Sequence, residues 1–335
     1  MWSDGARRKV RTGPALFSLT LAAGLIWANG TLPEPRNLDP VYSFQLKEKA
    51  KLDYTPLIWR IRAAHGKLWL LWSSRGSPVR YFLASLTPDG QRIHILPMDP
   101  SAENVDITPT SKGFASLISR RSTSGFGREL ILAEHDPQGN LLWQKAVPCG
   151  GMDALTSVGG RPALLCGDGR LRVYAEDGTP ALKQTWGRRG TVLMAFAGNR
   201  IAVVDQATAQ VLVQDLEANT VSAVTGSTPE IEEARRRNRA VEQELARRVG
   251  PEEQAKTVSL IVLDAASDGA TGALLVFPHR PMPDRISVVS LSEQGQVTAR
   301  YRCRFDPSFT PVRLALDSGH LALASATGYV YVYKF

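Results

Sequence analysis

The side chains best equipped for chemistry in this chain are arginines. Arg75, Arg120, Arg121, Arg128, Arg170, Arg280 and Arg285 all fall in or beside expected turns. A guanidinium is planar, permanently charged and forked, so it grips carboxylates and phosphates through paired hydrogen bonds. Fewer acids share those segments: Glu129, Asp168, Asp205 and Asp284. His279 stands beside Arg280 in the loop Phe277–Pro283, which is stiffened by Pro278, Pro281 and Pro283. Gathered on one surface, these residues would bind an anionic ligand. Dispersed, they would be ordinary solvated loop charges.

Other chemistries find less support. The histidines are His65, His94, His135, His279 and His320, and none has metal-ligand spacing. Asp106, Asp153, Asp264, Asp268 and Asp317 recur near the starts of repeats. Carboxylates converging on a central channel would hold a divalent cation; separated, they would cap turns or face solvent. The chain has no Gly-x-Ser-x-Gly elbow and no Gly-rich phosphate loop ending in Lys. No cofactor is expected.

The elements that must position these residues follow a cadence. Thr87-Pro88-Asp89-Gly90, Asp136-Pro137-Gln138-Gly139, Glu176-Asp177-Gly178, Glu217-Ala218-Asn219 and Ser292-Glu293-Gln294-Gly295 each sit between two β-branched or aromatic runs. A repeat of roughly forty residues with a hairpin near its end reads as a four-stranded propeller blade. The first blade reads Leu57–Ala63, Lys67–Trp72, Val79–Leu86 and Gln91–Leu96. Four more follow, over Val105–Val147, Ala154–Trp186, Val192–Val224 and Val258–Arg302. The last group has only three strands, near Val312, Leu321–Ser325 and Tyr329–Phe335. The orphan strand Val41–Leu46 supplies the fourth and removes an open edge. The expected fold is therefore all-β, a six-bladed β-propeller closed by an N-terminal strand, with one inserted helix. In such a ring the blade-to-blade connections share a face with the turns between second and third strands. The arginines named above would then share that face.

The insertion, Pro229–Thr257, breaks the cadence. Thr228 and Pro229 start a helix with acids in its first turn, and Gly250-Pro251 should end it. Ile231, Ala234, Val241, Leu245 and Val249 make a narrow apolar stripe, with Glu232/Arg236, Glu233/Arg237 and Glu244/Arg248 as pairs four apart. The helix either lies solvated on the ring or docks a protein partner through residues such as Arg236, Val241 and Leu245.

Composition sets the compartment. The chain has 335 residues, 43% of them hydrophobic and 21% charged, with formal net charge +8. That supports a large folded core. The basic stretch through Arg11, the apolar run Ala15–Ala28 and the small residues beyond it read as a signal peptide or an uncleaved anchor over residues 1–30. Thr31–Pro40 reads as an extended linker. The ring is expected outside the cytoplasm, periplasmic or extracellular, with a membrane contact only through that segment. Cys149 and Cys166 either form a disulfide or, with Cys303, pack as small hydrophobes. No basic run is interleaved with aromatics, so nucleic acid is not an expected partner. The ring is expected to be a monomer that meets a protein partner.

The six-blade cadence with Asp/Gly turns resembles the secreted or periplasmic bacterial propellers of the six-bladed superfamily that includes NHL-like and TolB-like rings. The resemblance spans Val41–Phe335 without a Trp-Asp or Asn-His-Leu repeat signature, so no ligand residue carries over. The basic loop face and the inserted helix, rather than the resemblance, point to an exported, non-enzymatic propeller that binds a protein or anionic partner. The alternative is an enzyme of the propeller lactonase or hydrolase kind with a divalent cation in the central channel.

Overall fold

The computed structural model describes residues 32–76, 78–87, 93–121, 128–149, 152–167, 169–185, 192–197, 199–218, 220–224, 227–248, 260–276 and 284–335. The expected signal peptide or anchor over 1–30 and the loop holding His279 and Arg280 lie outside the described residues. Pro33–Phe335 fold as one unit.

The chain enters through β1 (Arg36–Leu38) and β2 (Tyr42–Gln45), then one turn of helix, α1 (Leu46–Lys49). Blade one is β3 (Leu57–Ala64), β4 (Lys67–Ser73), β5 (Tyr81–Leu86) and β6 (Ile93–Pro97). Blade two is β7 (Asn104–Thr110), β8 (Gly113–Arg121), β9 (Arg128–His135) and β10 (Leu141–Ala146). Blade three is β11 (Met152–Val158), β12 (Arg161–Cys166), β13 (Arg170–Tyr174) and β14 (Pro180–Thr185). Blade four is β15 (Val192–Phe196), β16 (Arg200–Val204), β17 (Val211–Asp215) and β18 (Thr220–Val224). The helix α2 (Pro229–Arg248) leads to blade five: β19 (Val262–Ser267), β20 (Thr271–Val276), β21 (Arg285–Ser292) and β22 (Val297–Arg304). Blade six is β23 (Pro311–Asp317), β24 (His320–Ser325) and β25 (Tyr329–Lys334), completed by β2.

The protein is thus a six-bladed propeller, and its ends meet as the sequence requires. β2 pairs antiparallel with β25, Tyr42 opposite Val332 and Gln45 opposite Tyr329. Part of the expected linker adds a second seal. β1 runs parallel to β22, Arg36 opposite Tyr301, so blade five carries a fifth strand.

Each blade hides its apolar faces against its neighbours, and among the described residues a buried cluster fills each of the six blade-to-blade seams. Between blades six and one, Leu46, Trp72, Leu70 and Val330 pack together. Between four and five, Phe196, Val211, Leu274 and Val289 are joined by Ile231 and Ala234 of α2. Burying each such Leu or Phe side chain stabilises the ring by about 1.5–3 kcal/mol. A disulfide between Cys149 and Cys166 ties the exit of blade two to β12 of blade three, with Cα atoms 5.3 Å apart. Cys303 is free and buried, and burial pushes its thiol up from the ordinary range. Tight turns need left-handed backbone: His65 and Gly66 between β3 and β4 have φ of 54° and 67°.

Candidate functional site

Alternation along the six inner strands decides which side chains face the axis. The register identifies equivalent positions, because each inner strand has one residue opposite the fifth residue of its neighbour. These are Arg60, Asp106, Ala154, Val192, Asp264 and Arg313, opposite Leu71, Leu117, Leu165, Val204, Leu275 and Ala324. In four of these strands a bulge precedes that position, at Trp59, Asp153, Leu263 and Val312. Bulges re-aim the side chains beside them.

Four of the six positions are charged, on consecutive blades: Asp264 on five, Arg313 on six, Arg60 on one and Asp106 on two. Each reaches its neighbour. Asp264 Oδ2 accepts the Leu314 backbone N–H at 3.0 Å. Arg313 Nε donates to the Trp59 carbonyl at 2.7 Å. Arg60 Nε donates to Asp106 Oδ1 at 2.9 Å. Asp264 and Asp106 also accept the N–H of the following residue. Asp106 Oδ2 is buried and takes no bond. The charges therefore staple the blades on both sides of blade six, where the ring closes.

One layer further along lies Arg62, two residues from Arg60 on β3. Its Nη1 donates to the Ile61 carbonyl at 3.2 Å. Enclosure by the ring, then the Arg60 charge, lowers its proton affinity, against the pull of Asp106 and Asp264. Asp106 by contrast raises that of Arg60 well above the ordinary range. Arg62 lines a cavity of about 460 Å³ that opens at the end of the channel bearing the β3–β4 turn. Thr108, Thr156, Ser157 and Ser267 share its walls with Met194 and Phe196, and Asp268 and Asp317 stand at its rim. Sequence reasoning singled out Asp106 and Asp264 but passed over Arg60, Arg62 and Arg313. Their available signal was a charged residue recurring at one place in otherwise apolar strands.

The loop arginines lie at the opposite end of the blades. Arg120, Arg121 and Arg128 are brought together at the β8–β9 end of blade two, and all have acidic partners. Arg120 Nε reaches Glu129 at 3.2 Å, with Asp99 at 3.9 Å from Nη1. Arg121 and Arg128 share Glu103, at 2.9 and 3.1 Å. Arg75 is exposed in the turn after β4, and Arg170 begins β13. Arg285 begins β21 and donates to Asn37 Oδ1 at 2.8 Å. The arginines on blades one, three and five are thus separate from the blade-two group.

On the same side, the first turns of α2 are fastened to the ring. Glu230, in the first turn, sits in the fork of Arg300 from β22, with contacts of 2.5–3.1 Å, and both side chains are about nine-tenths buried. Burial pushes the Glu230 carboxyl up, but Arg300, its own backbone N–H and the Thr228 hydroxyl outweigh it and hold it below the ordinary range. Arg300 also donates to the Pro33 carbonyl, which ties the incoming chain to the same point. Ile231 and Ala234 are buried, and Arg235 donates to the Thr208 carbonyl. Beyond them Val241 is 50% exposed. Arg236 pairs with Glu233, Arg235 with Glu232 and Arg247 with Glu244. These pairs are three residues apart, a step that, like the expected step of four, brings side chains together on a helix. The side chain of Leu245 lies outside the described residues.

No family model matches the sequence, and no curated protein matches it. Solved propellers match in fold. BamB from Moraxella catarrhalis is 14% identical over 89% of this chain and 100% of that one, with a TM-score of 0.44. A catalytically inactive virginiamycin B lyase from Staphylococcus aureus, solved with quinupristin, is 10% identical over 88% of this chain and 87% of that one, with a TM-score of 0.48. The β-propeller domain of the Trilobed protease from Pyrococcus furiosus is 10% identical over 80% of this chain and 78% of that one, with a TM-score of 0.41. At these identities the likeness bears on fold alone.

Proposed function

We propose that this protein is an exported, non-enzymatic propeller that binds a protein partner through α2 and the connection loops beside it. The observation that carries this reading is the contrast along the helix. Its first turns are pinned by Glu230, Ile231 and Ala234, while Val241 continues the apolar stripe half exposed, among ion pairs of mixed sign. A held helix with an uncovered apolar residue is a common way to present a docking edge. The arginine group of blade two, already neutralised by Asp99, Glu103 and Glu129, serves better as a polar rim than as a pocket for a free anion.

The disulfide supports export, because such bonds persist in oxidising compartments. Among the described residues no helix is long and apolar enough to cross a membrane. The channel donors support binding over metal-assisted hydrolysis. Asp106 and Asp264 are engaged by Arg60 and backbone N–H groups, and a cation there would face the neighbouring guanidinium groups.

The test uses site-specific photocrosslinking in the native host. A crosslinker at position 241 should give one discrete adduct, absent from the same reagent at Leu142 on β10. The double change Arg236→Glu and Arg247→Glu, made beside that crosslinker, should abolish it while the melting temperature holds. An adduct that survives the double change, or no adduct at 241, rejects this reading.

A further inference from the structure

The cavity around Arg62 belongs to the other end of the ring and has no part in the binding role proposed above. Its layers can be read from the register. The floor is the staple ring of Arg60, Asp106, Ala154, Val192, Asp264 and Arg313. Two residues outward come Arg62, Thr108, Thr156, Met194, Ala266 and Ala315. The rim layer holds Asp317, opposite His320, and Asp268, whose N–H meets the Thr271 carbonyl.

The charges sort by depth. At the floor Arg60 answers Asp106, and Arg313 stands beside Asp264, so that layer has two cations and two anions. The middle layer has one charge, that of Arg62, whose one described hydrogen bond is to a carbonyl. The rim has two carboxylates. Asp317 accepts the Gly66 N–H at Oδ2 and the Ser318 hydroxyl at Oδ1. Asp268 takes the Ala270 and Thr271 N–H groups, both on Oδ1. Each carboxylate offers about four acceptor sites, so both keep capacity to receive a cation. His65 also stands at the rim, exposed.

We infer that the channel mouth is a binding site for a small zwitterion, with its carboxylate on Arg62 and its ammonium between Asp268 and Asp317. A plain anion reaching Arg62 must pass two negative groups, and a plain cation finds Arg62 behind them. A molecule carrying both charges satisfies both layers. Two residues of strand separate the layers by about 7 Å, which matches charges at opposite ends of a short aliphatic chain rather than adjacent ones. The cavity of about 460 Å³ is of small-molecule size, and its Ala, Met194 and Phe196 walls suit the methylenes between. The ligand class is thus an ω-amino acid, or a basic amino acid using its side-chain cation.

Calorimetric titration with three probes of equal chain length tests this on the unmodified protein. 6-Aminohexanoate carries both charges, hexanoate only the carboxylate and hexylamine only the ammonium. The zwitterion should bind at least about tenfold tighter than either, since each charged hydrogen bond is worth that much or more. Arg62→Gln should weaken it about tenfold while far-UV dichroism and melting hold, and Asp268→Asn should weaken it while leaving hexanoate unchanged or improved. Hexanoate binding as tightly as 6-aminohexanoate overturns the assignment. So does binding that survives in folded Arg62→Gln, or the absence of heat with all three probes at millimolar concentration.

Discussion

Glu230 and Arg300 lie far apart in the chain, yet they form a two-pronged ion pair at the root of α2. The pair fixes where the insertion leaves the ring, and the Pro33 carbonyl on the same guanidinium fixes where the chain enters it. Removing one partner of such a pair strands the other, at a cost of about 3–5 kcal/mol. Arg300→Gln should therefore lower the unfolding free energy by about that amount and expose residues 229–240 to hydrogen exchange. Unchanged protection of that segment would show that Ile231 and Ala234 alone hold the helix.

The same pair gives the protein an acid limit. The folded Glu230 carboxyl titrates below its unfolded value, so its stabilisation is complete above the ordinary glutamate range and is lost as pH falls through the folded value. His135 adds a second, higher window. Burial against Phe114 lowers its proton affinity, so the unfolded chain takes up the proton first and stability declines as pH drops through about 6.5. Urea midpoints measured from pH 8 to pH 3 should fall in two stages. His135→Gln should flatten the upper stage and Glu230→Gln the lower.

The channel staples should behave as a coupled pair. Arg60 is about one-quarter exposed and Asp106 is buried, so Asp106→Asn leaves a largely enclosed cation without its counter-charge. A loss of about 3 kcal/mol is expected, with most of it recovered in Arg60→Met combined with Asp106→Leu. A double-mutant cycle of Arg60→Met, Asp106→Leu and their combination, by chemical denaturation, measures the coupling. Additive losses would show that the two side chains act independently.

Reduction should loosen the ring between blades two and three. The Cys149–Cys166 loop spans 17 residues, for which chain entropy gives about 3 kcal/mol. Replacing both cysteines by serine should lower the melting temperature without changing the far-UV spectrum. Native protein should leave Cys303 unlabelled by thiol reagents until it unfolds, because the thiol is buried and held protonated.

Gly113 offers a purely steric test. A β-carbon there would meet the His135 carbonyl oxygen at 2.3 Å, a backbone atom that cannot swing aside, and φ is +152°. Gly113→Ala should destabilise by at least about 1–3 kcal/mol. Gly66→Ala has open space around it and should show only the smaller cost of a left-handed backbone.

The ring was legible because its signals are local. Runs such as Lys67–Ser73 and Thr271–Val276 are bounded by turn residues, and the three-stranded remainder at Val312–Phe335 demanded a partner from Val41–Leu46. β1 was not legible, since three residues beside prolines carry no alternation and are set by the edge of β22. The loop arginines were visible, but Glu103 and Asp99, which bind them, belong to a separate segment of chain. Arg60, Arg62 and Arg313 were hidden for a different reason. A strand facing a narrow axial channel reads as core, and only the bulges and pairing register show that its charged residues meet those of neighbouring blades.

Because blade six borrows β2, the circle cannot shut while β25 is still being synthesised. Until then the finished sheets form an arc with apolar flanks at both ends, at Leu70 and Trp72 on one and at Leu275 and Val288 on the other. That intermediate is sticky and long-lived, since the joining strands are nearly the whole chain apart. Emergence of the last strand is thus an all-or-nothing event for this molecule, and loss of the few residues around Val330–Tyr333 should abolish folding of the whole circle rather than of one blade.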